Sequence, residues 1–195
     1  MNENIWNDKN LIKVLKENGV VVMPTDTIYG MVCNTLNKEA VLRVYKIRER
    51  NPKKSCIILI GNINELEKFG IFLSEIKKEE LKKYWFTTSE NDGSRPTSIV
   101  LNCKNDSLEY LHHGTNTLAF RIPKLKTLRE LLLKTGPLIS PSANQEGFSP
   151  AKTVEEAKKY FGDLVDLYIN GGELKNKASK LIKLNDDGSI IVLRE

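Results

Sequence analysis

Apolar positions along the chain come in two patterns, helical spacing and short unbroken runs, and the two alternate. Leu11, Ile12 and Leu15 recur at helical spacing after Asn7 and Asp8, and Gly19 stands where a C-cap is expected. Val20 to Met23 then form a continuous apolar run stopped by Pro24, which predicts a strand buried on both faces. From Asn37, "NKEAVLRVYKIRER" places Ala40, Val41, Val44 and Ile47 on one helical face, and Cys56 to Ile60 reads as a second buried strand. Weaker helical patterns follow at Asn64 to Phe69 and Glu75 to Tyr84, and "SENDGSRP" (Ser89 to Pro96) is a loop by composition. Thr97 to Leu101 and Thr117 to Ile122 are strands, and "LKTLRELLLKTG" is an amphipathic helix ending at Gly136. "PLIS" is a brief strand running into "PSANQEGFSP". Thr153 and Glu156 form a capping box for "TVEEAKKYFG", "LVDLYI" is a further strand, and "KLIKL" and "SIIVLR" flank "NDDG" as a hairpin. The alternation predicts one α/β domain over residues 1–195, with a mixed parallel and antiparallel sheet.

Composition narrows the functions available. A chain of 195 residues that is 40% hydrophobic can bury a continuous core. No apolar run approaches the ~20 residues needed to cross a bilayer, and "MNENIWNDKN" lacks the basic start and apolar core of a secretion signal. The expectation is a cytoplasmic protein with no membrane partner. A net charge of +5 suits an anionic partner, and equally suits plain solubility. Cys33, Cys56 and Cys103 form no C-x-x-C pair and read as small buried hydrophobes; His112 and His113 are sequence neighbours, so no histidine metal site is expected.

Four stretches offer chemistry, each with two readings. Arg43, Lys46, Arg48, Arg50, Lys53 and Lys54 gather at one helix end and the turn beyond it. They are either a solvated basic face complementing the helix dipole, or a polyphosphate cradle with guanidinium forks at Arg48 and Arg50 and a point charge at Lys54. Neither glycine-rich phosphate loop, G-x-x-x-x-G-K-[ST] nor G-x-G-x-x-G, occurs. "SPSAN" (Ser140 to Asn144) follows a short strand, where α/β sheets bind ligands, yet Ser and Asn also satisfy ordinary turns. Thr25, Asp26 and Thr27 are a polar turn or part of a site. Arg121 falls inside the apolar strand "LAFRI", so an anion must meet it, either an internal carboxylate or a substrate.

Taken together the chain resembles the YrdC-like family of L-threonylcarbamoyladenylate synthases from about Gly19 to Arg194. "PTDTIYG" matches the family's P-T-[DE]-T-x-Y-G, "RERNPKK" its K-x-R segment, and "TLAFRIP" its T-x-A-x-R-x-P. "GPLISPSAN" and "GDLVDLYINGG" match two further segments in the same order. The resemblance implies a YrdC-like, DHBP-synthase-like fold: a twisted open mixed sheet with helices on its faces and no additional C-terminal domain. It implies a nucleotidyltransferase that joins L-threonine, bicarbonate and ATP, with Mg²⁺ carried on the ATP, to give threonylcarbamoyl-AMP and pyrophosphate. The product would pass to a separate transferase that modifies the adenosine beside the anticodon in tRNAs reading codons that begin with A.

By motif, Thr25, Arg121, Ser140 and Ser179 would hold L-threonine, with Arg121 on its carboxylate. Arg48, Arg50, Lys54, Thr117, Ser142, Asn144 and Arg194 would bind ATP, with Arg48 and Arg50 stabilising charge. No nucleophile and no protein metal ligand is expected, because two anions need only be held in line and neutralised. The chain departs from the pattern where Arg48 replaces a lysine, where Asn51 and Ser55 replace prolines, and where polar residues interrupt the segment before Ser98. The alternative is a non-catalytic protein that binds RNA or the ribosome through a basic concave face, and tRNA itself is a candidate weak partner. A third is the carbamoyl-adenylating domain of hydrogenase maturation proteins, usually fused to modules absent from this chain.

Overall fold

A computed structural model describes residues 3–51, 54–86, 96–185 and 189–195. In chain order the strands are β1 (Val21–Pro24), β2 (Tyr29–Asn34), β3 (Ile57–Leu59), β4 (Thr97–Asn102), β5 (Thr117–Arg121), β6 (Leu138–Ile139), β7 (Leu167–Tyr168), β8 (Lys180–Leu184) and β9 (Ile190–Arg194). The α-helices are α1 (Lys9–Lys16), α2 (Lys38–Ile47), α3 (Glu75–Phe86), α4 (Glu109–His112), α5 (Lys126–Thr135) and α6 (Val154–Phe161). The strands form one mixed sheet in the order β7-β1-β2-β6-β3-β5-β4-β8-β9. Among the described residues, three pairs are parallel (β1 with β7, β3 with β5, β4 with β8) and the other five antiparallel, as the mixed reading predicted.

The two-residue period of β1 explains the layering. Val21 and Met23 pack with Trp6, Leu11, Leu15, Leu128, Leu131 and Leu132 beneath α1 and α5. Val20 and Val22 face the opposite cluster, which holds Val41 and Val44 of α2 and Ala157 and Phe161 of α6. Helices therefore cover both faces, and a strand buried on both sides must be apolar throughout, as "VVVM" is.

Several expectations change. The left-handed residue closing α1 is Asn18 (φ 63°), not Gly19. Gly19 is instead pressed against Val14, where an added Cβ would meet Cγ1 at 2.5 Å. Tyr29 and Gly30 belong to a strand that the polar turn before them concealed, and α4 was not foreseen. The Asn64 to Phe69 helix is a 3-10 helix spanning Ile63–Phe69, and "LVDLYI" contributes only the two residues of β7. Thr153 Oγ1 accepts the Glu156 N–H at 3.2 Å as a capping box requires, but the Glu156 carboxylate returns to the Lys152 N–H at 2.7 Å. Lys53, most of the Ser89 to Pro96 loop and the tip of the last hairpin lie outside the described residues.

Candidate active site

On β5 the two-residue period sends Leu118 and Phe120 into the core, while Thr117, Ala119 and Arg121 point to the other face. Ala119 is flanked by Ile57 of β3 and Val100 of β4, and with Leu181 of β8 they floor a cavity of about 480 Å³. Its walls are the turn after β1, Arg50 with Lys54 to Cys56, the loop after β6, and the chain around Ser179 and Arg194. Thr25, Arg50, Lys54, Thr117, Arg121, Ser140, Ser142, Ser179 and Arg194, all expected from the sequence, line this one cavity.

The first wall is a hydroxyl-closed turn. Thr25 Oγ1 donates to Ile28 O at 2.7 Å, accepts the Thr27 N–H at 3.2 Å, and lies 3.0 Å from Thr27 Oγ1. The turn is satisfied locally, and Thr25 and Thr27 also border the cavity. Asp26 points away and forms a buried ion pair with Arg121, Oδ1 to Nη2 at 3.1 Å, and its other oxygen accepts the Lys124 N–H at 3.2 Å. Arg121 Nη2 also reaches Thr27 Oγ1 at 3.3 Å, while Nε is buried without a partner. The internal carboxylate and the cavity-facing position coexist at Arg121.

The second wall extends β2. Met31 N–H donates to Pro141 O and Ala143 N–H to Tyr29 O, each at 2.9 Å, so the loop after β6 runs beside β2 as an added strand. Gly30 opposes Ser142, and a Cβ on Gly30 would stand 2.5 Å from Ser140 Oγ. Tyr29 is buried and ties down the following glycine pair: its hydroxyl donates to Gly172 O at 2.8 Å and accepts the Gly171 N–H at 2.9 Å.

Arg48 and Asn144 are the two expected ligand-binders that do not line the cavity. The Arg48 side chain is buried under the loop, donating from Nε to Asn144 O at 2.9 Å and from Nη2 to Asn144 Oδ1 at 3.1 Å. Burial, then the neighbouring Arg50 charge, pushes its guanidinium down to about 10. The Asn144 amide is used on Gln145 O and Phe148 O, so this pair shapes the wall from behind. Arg50 lines the cavity with its Nε on Lys54 O and Nη2 on Ser55 O, both at 3.0 Å, and its guanidinium 6.0 Å from the Tyr45 ring centre. Lys54 Nζ pairs with Glu146 at 2.5 Å. Across the cavity, Arg194 donates to Ser179 O and Oγ, and Ser179 Oγ meets Ser98 Oγ at 2.8 Å.

Among the described residues, four cationic side chains, Arg50, Lys54, Arg121 and Arg194, and no carboxylate line the cavity. Asp26 and Glu146 already neutralise two of the four, so the lining favours an anionic group without fixing its charge, and the apolar row Ile57, Ala119, Val100 and Leu181 suits a flat or aliphatic one. The Sua5_yciO_yrdC family model, described as "Telomere recombination", matches residues 13–195. The chain belongs to this family. A relative from Histophilus somni (strain 2336) named threonylcarbamoyl-AMP synthase is 30% identical over 157 residues, covering 80% of this chain and 82% of its own. One of the same name from Pseudomonas fluorescens (strain Pf0-1) is 28% identical, covering 96% and 97%. The crystal structure of P. abyssi Sua5 complexed with L-threonine aligns with TM-score 0.82 and 25% identity over 97% of this chain, which spans 54% of that longer protein. E. coli YciO aligns with TM-score 0.77 and 26% identity over 99% of this chain and 89% of its own.

Sequence reasoning missed Asp26 as the partner of Arg121, the apolar floor and Glu146. The floor had a signal, since Thr117, Ala119 and Arg121 alternate with apolar core residues.

Proposed function

We propose that this chain is a threonylcarbamoyl-AMP synthase that joins L-threonine, bicarbonate and ATP and releases pyrophosphate. The observation that supports it most is the cavity in which hydroxyls and four cations meet over an apolar floor, with no carboxylate among the described residues that line it. The threonine amine forms a carbamate with bicarbonate, losing water. A carbamate oxygen then attacks the α-phosphorus of ATP, and the bond to pyrophosphate breaks. No bond to the enzyme forms, so no nucleophile is required.

Arg121 takes the threonine carboxylate, since it borders the cavity and keeps a donor, Nε, unmet by Asp26. Asp26 fixes the direction of that guanidinium. Thr25, Ser140 and Ser179 stand around the amino acid, and Arg50, Lys54, Ser142 and Arg194 take the phosphates. Thr117 and the apolar row hold the nucleoside. Arg48 and Asn144 act through the loop they brace. With no acidic side chain among the described residues of the lining, the residues fit a Mg²⁺ that arrives bound to the triphosphate, where it would neutralise phosphate charge. Three buried free thiols suit a reducing compartment, and we place the enzyme in the cytoplasm. No helix among the described residues is long and apolar enough to cross a membrane. The adenylate then goes to a tRNA-modifying transferase.

The test is pyrophosphate release with ATP, Mg²⁺ and bicarbonate, with and without L-threonine. Threonine should stimulate it, and Arg121→Ala should raise the half-saturating threonine concentration about 30-fold or more, the cost of stripping one partner from a buried charged pair. The half-saturating ATP concentration should move far less. Release that ignores threonine overturns the reading. An unchanged threonine dependence in Arg121→Ala overturns the role of that residue.

A further inference from the structure

Arg50 and Lys54 are two of the cations assigned to the triphosphate, and Lys54 already holds an anion. Lys54 Nζ lies 2.5 Å from Glu146 Oε1, and Glu146 Oε2 accepts the Asn51 N–H at 2.5 Å. The Glu146 backbone N–H in turn donates to Arg48 O at 3.0 Å. One carboxylate therefore spans an ammonium and a backbone N–H, the same donor types that phosphate oxygens take. Lys54 first, and the Asn51 N–H second, hold this carboxyl below the usual glutamate range, so the contact is charged at neutral pH. Lys54 belongs to the cavity wall; Glu146 does not.

We propose that Glu146 is an internal competitor for the phosphate end of the cavity, an affinity-setting residue for the proposed reaction. The inference rests on the ATP reading of the site. Without nucleotide, the carboxylate occupies Lys54 Nζ and the Asn51 N–H. A polyphosphate, with several charges to offer, displaces it. Glu146 can yield because its side chain is 26% exposed and stands on a loop, so the released carboxylate turns into water. Re-engagement of Lys54 then assists departure of pyrophosphate. A purely bracing Glu146 would do the reverse, holding Asn51 and Lys54 in place so that its loss weakens phosphate binding.

Calorimetric titration of the full chain with inorganic pyrophosphate, and with ATP and Mg²⁺, separates these. Neutralising an exposed pair removes a competitor of modest strength, so Glu146→Gln should bind both probes about three- to fivefold more tightly than the native chain. The gain should shrink at high salt, which screens the contact in the native chain, and L-threonine affinity should not change. Glu146→Asp, with the charge on a shorter stem, should fall between the two and serves if the first variant folds poorly. Equal or weaker pyrophosphate binding by both variants, with the native chain binding ATP, overturns the competitor role and leaves the proposed function intact. Failure of the native chain to bind ATP or pyrophosphate overturns the ATP reading and this inference with it.

Discussion

Gly30→Ala probes the closest approach in the site. Gly30 lies in β2 outside the left-handed region, so alanine meets no backbone strain there. The added methyl, however, would stand 2.5 Å from Ser140 Oγ, 3.4 Å from Thr25 Cγ2 and 3.5 Å from Pro141 O. Only the first contact is impossible, and it is with the end of a short side chain that can rotate. Overpacking of this kind costs about 1–3 kcal/mol, offset by about 0.4–1 kcal/mol from the stiffer unfolded chain. A net loss of about 1–2 kcal/mol is expected. In a Ser140→Ala background the clash is gone, and the same substitution should be neutral or slightly stabilising. The coupling between the two sites, measured from urea unfolding midpoints of the four proteins, should be about 1–2 kcal/mol. Activity of Gly30→Ala should fall about tenfold, one hydrogen bond's contribution, because the hydroxyl is turned from the cavity. If Gly30→Ala destabilises both backgrounds equally, Ser140 is not what requires a glycine here.

Arg48→Lys should lower stability by about 1–3 kcal/mol, because one ammonium cannot reproduce two guanidinium bonds to Asn144 in a buried setting. A direct phosphate ligand, by contrast, would tolerate lysine with no change in the melting temperature. His113 is held below the usual histidine range by burial, then by His112 and Arg50, with its Nε2 3.0 Å from the Tyr45 hydroxyl. The unfolded chain therefore takes up the proton first, and urea midpoints should fall on acidification from about pH 7 to pH 5. His113→Asn should flatten that slope, and an unaltered slope contradicts the assignment.

Much of this molecule was legible because local physics decided it. The helical face of Ala40, Val41, Val44 and Ile47 is the buried face of α2, and the unbroken run before Pro24 became a strand covered on both faces. The site was legible through hydroxyls and cations that share no local pattern yet converge on one cavity. What the sequence withheld was long-range or concealed. β2 hid behind the polar turn and a glycine, and Arg48 read as a solvated surface cation or a phosphate fork, whereas its guanidinium is buried beneath the loop. Asp26 and Arg121 are 95 residues apart, and Lys54 and Glu146 are 92 apart, so no spacing rule could pair them. Gly19 was misread because asparagine takes the left-handed position, leaving glycine to serve close packing instead.

The most direct test of the central claim is product formation. Purified protein given ATP, Mg²⁺, L-threonine and ¹³C-bicarbonate should yield threonylcarbamoyl-AMP carrying the label, detected by mass spectrometry of the quenched mixture, and should yield none when any one reactant is left out. Absence of the labelled adenylate with all reactants present, from protein shown to be folded, would contradict the account.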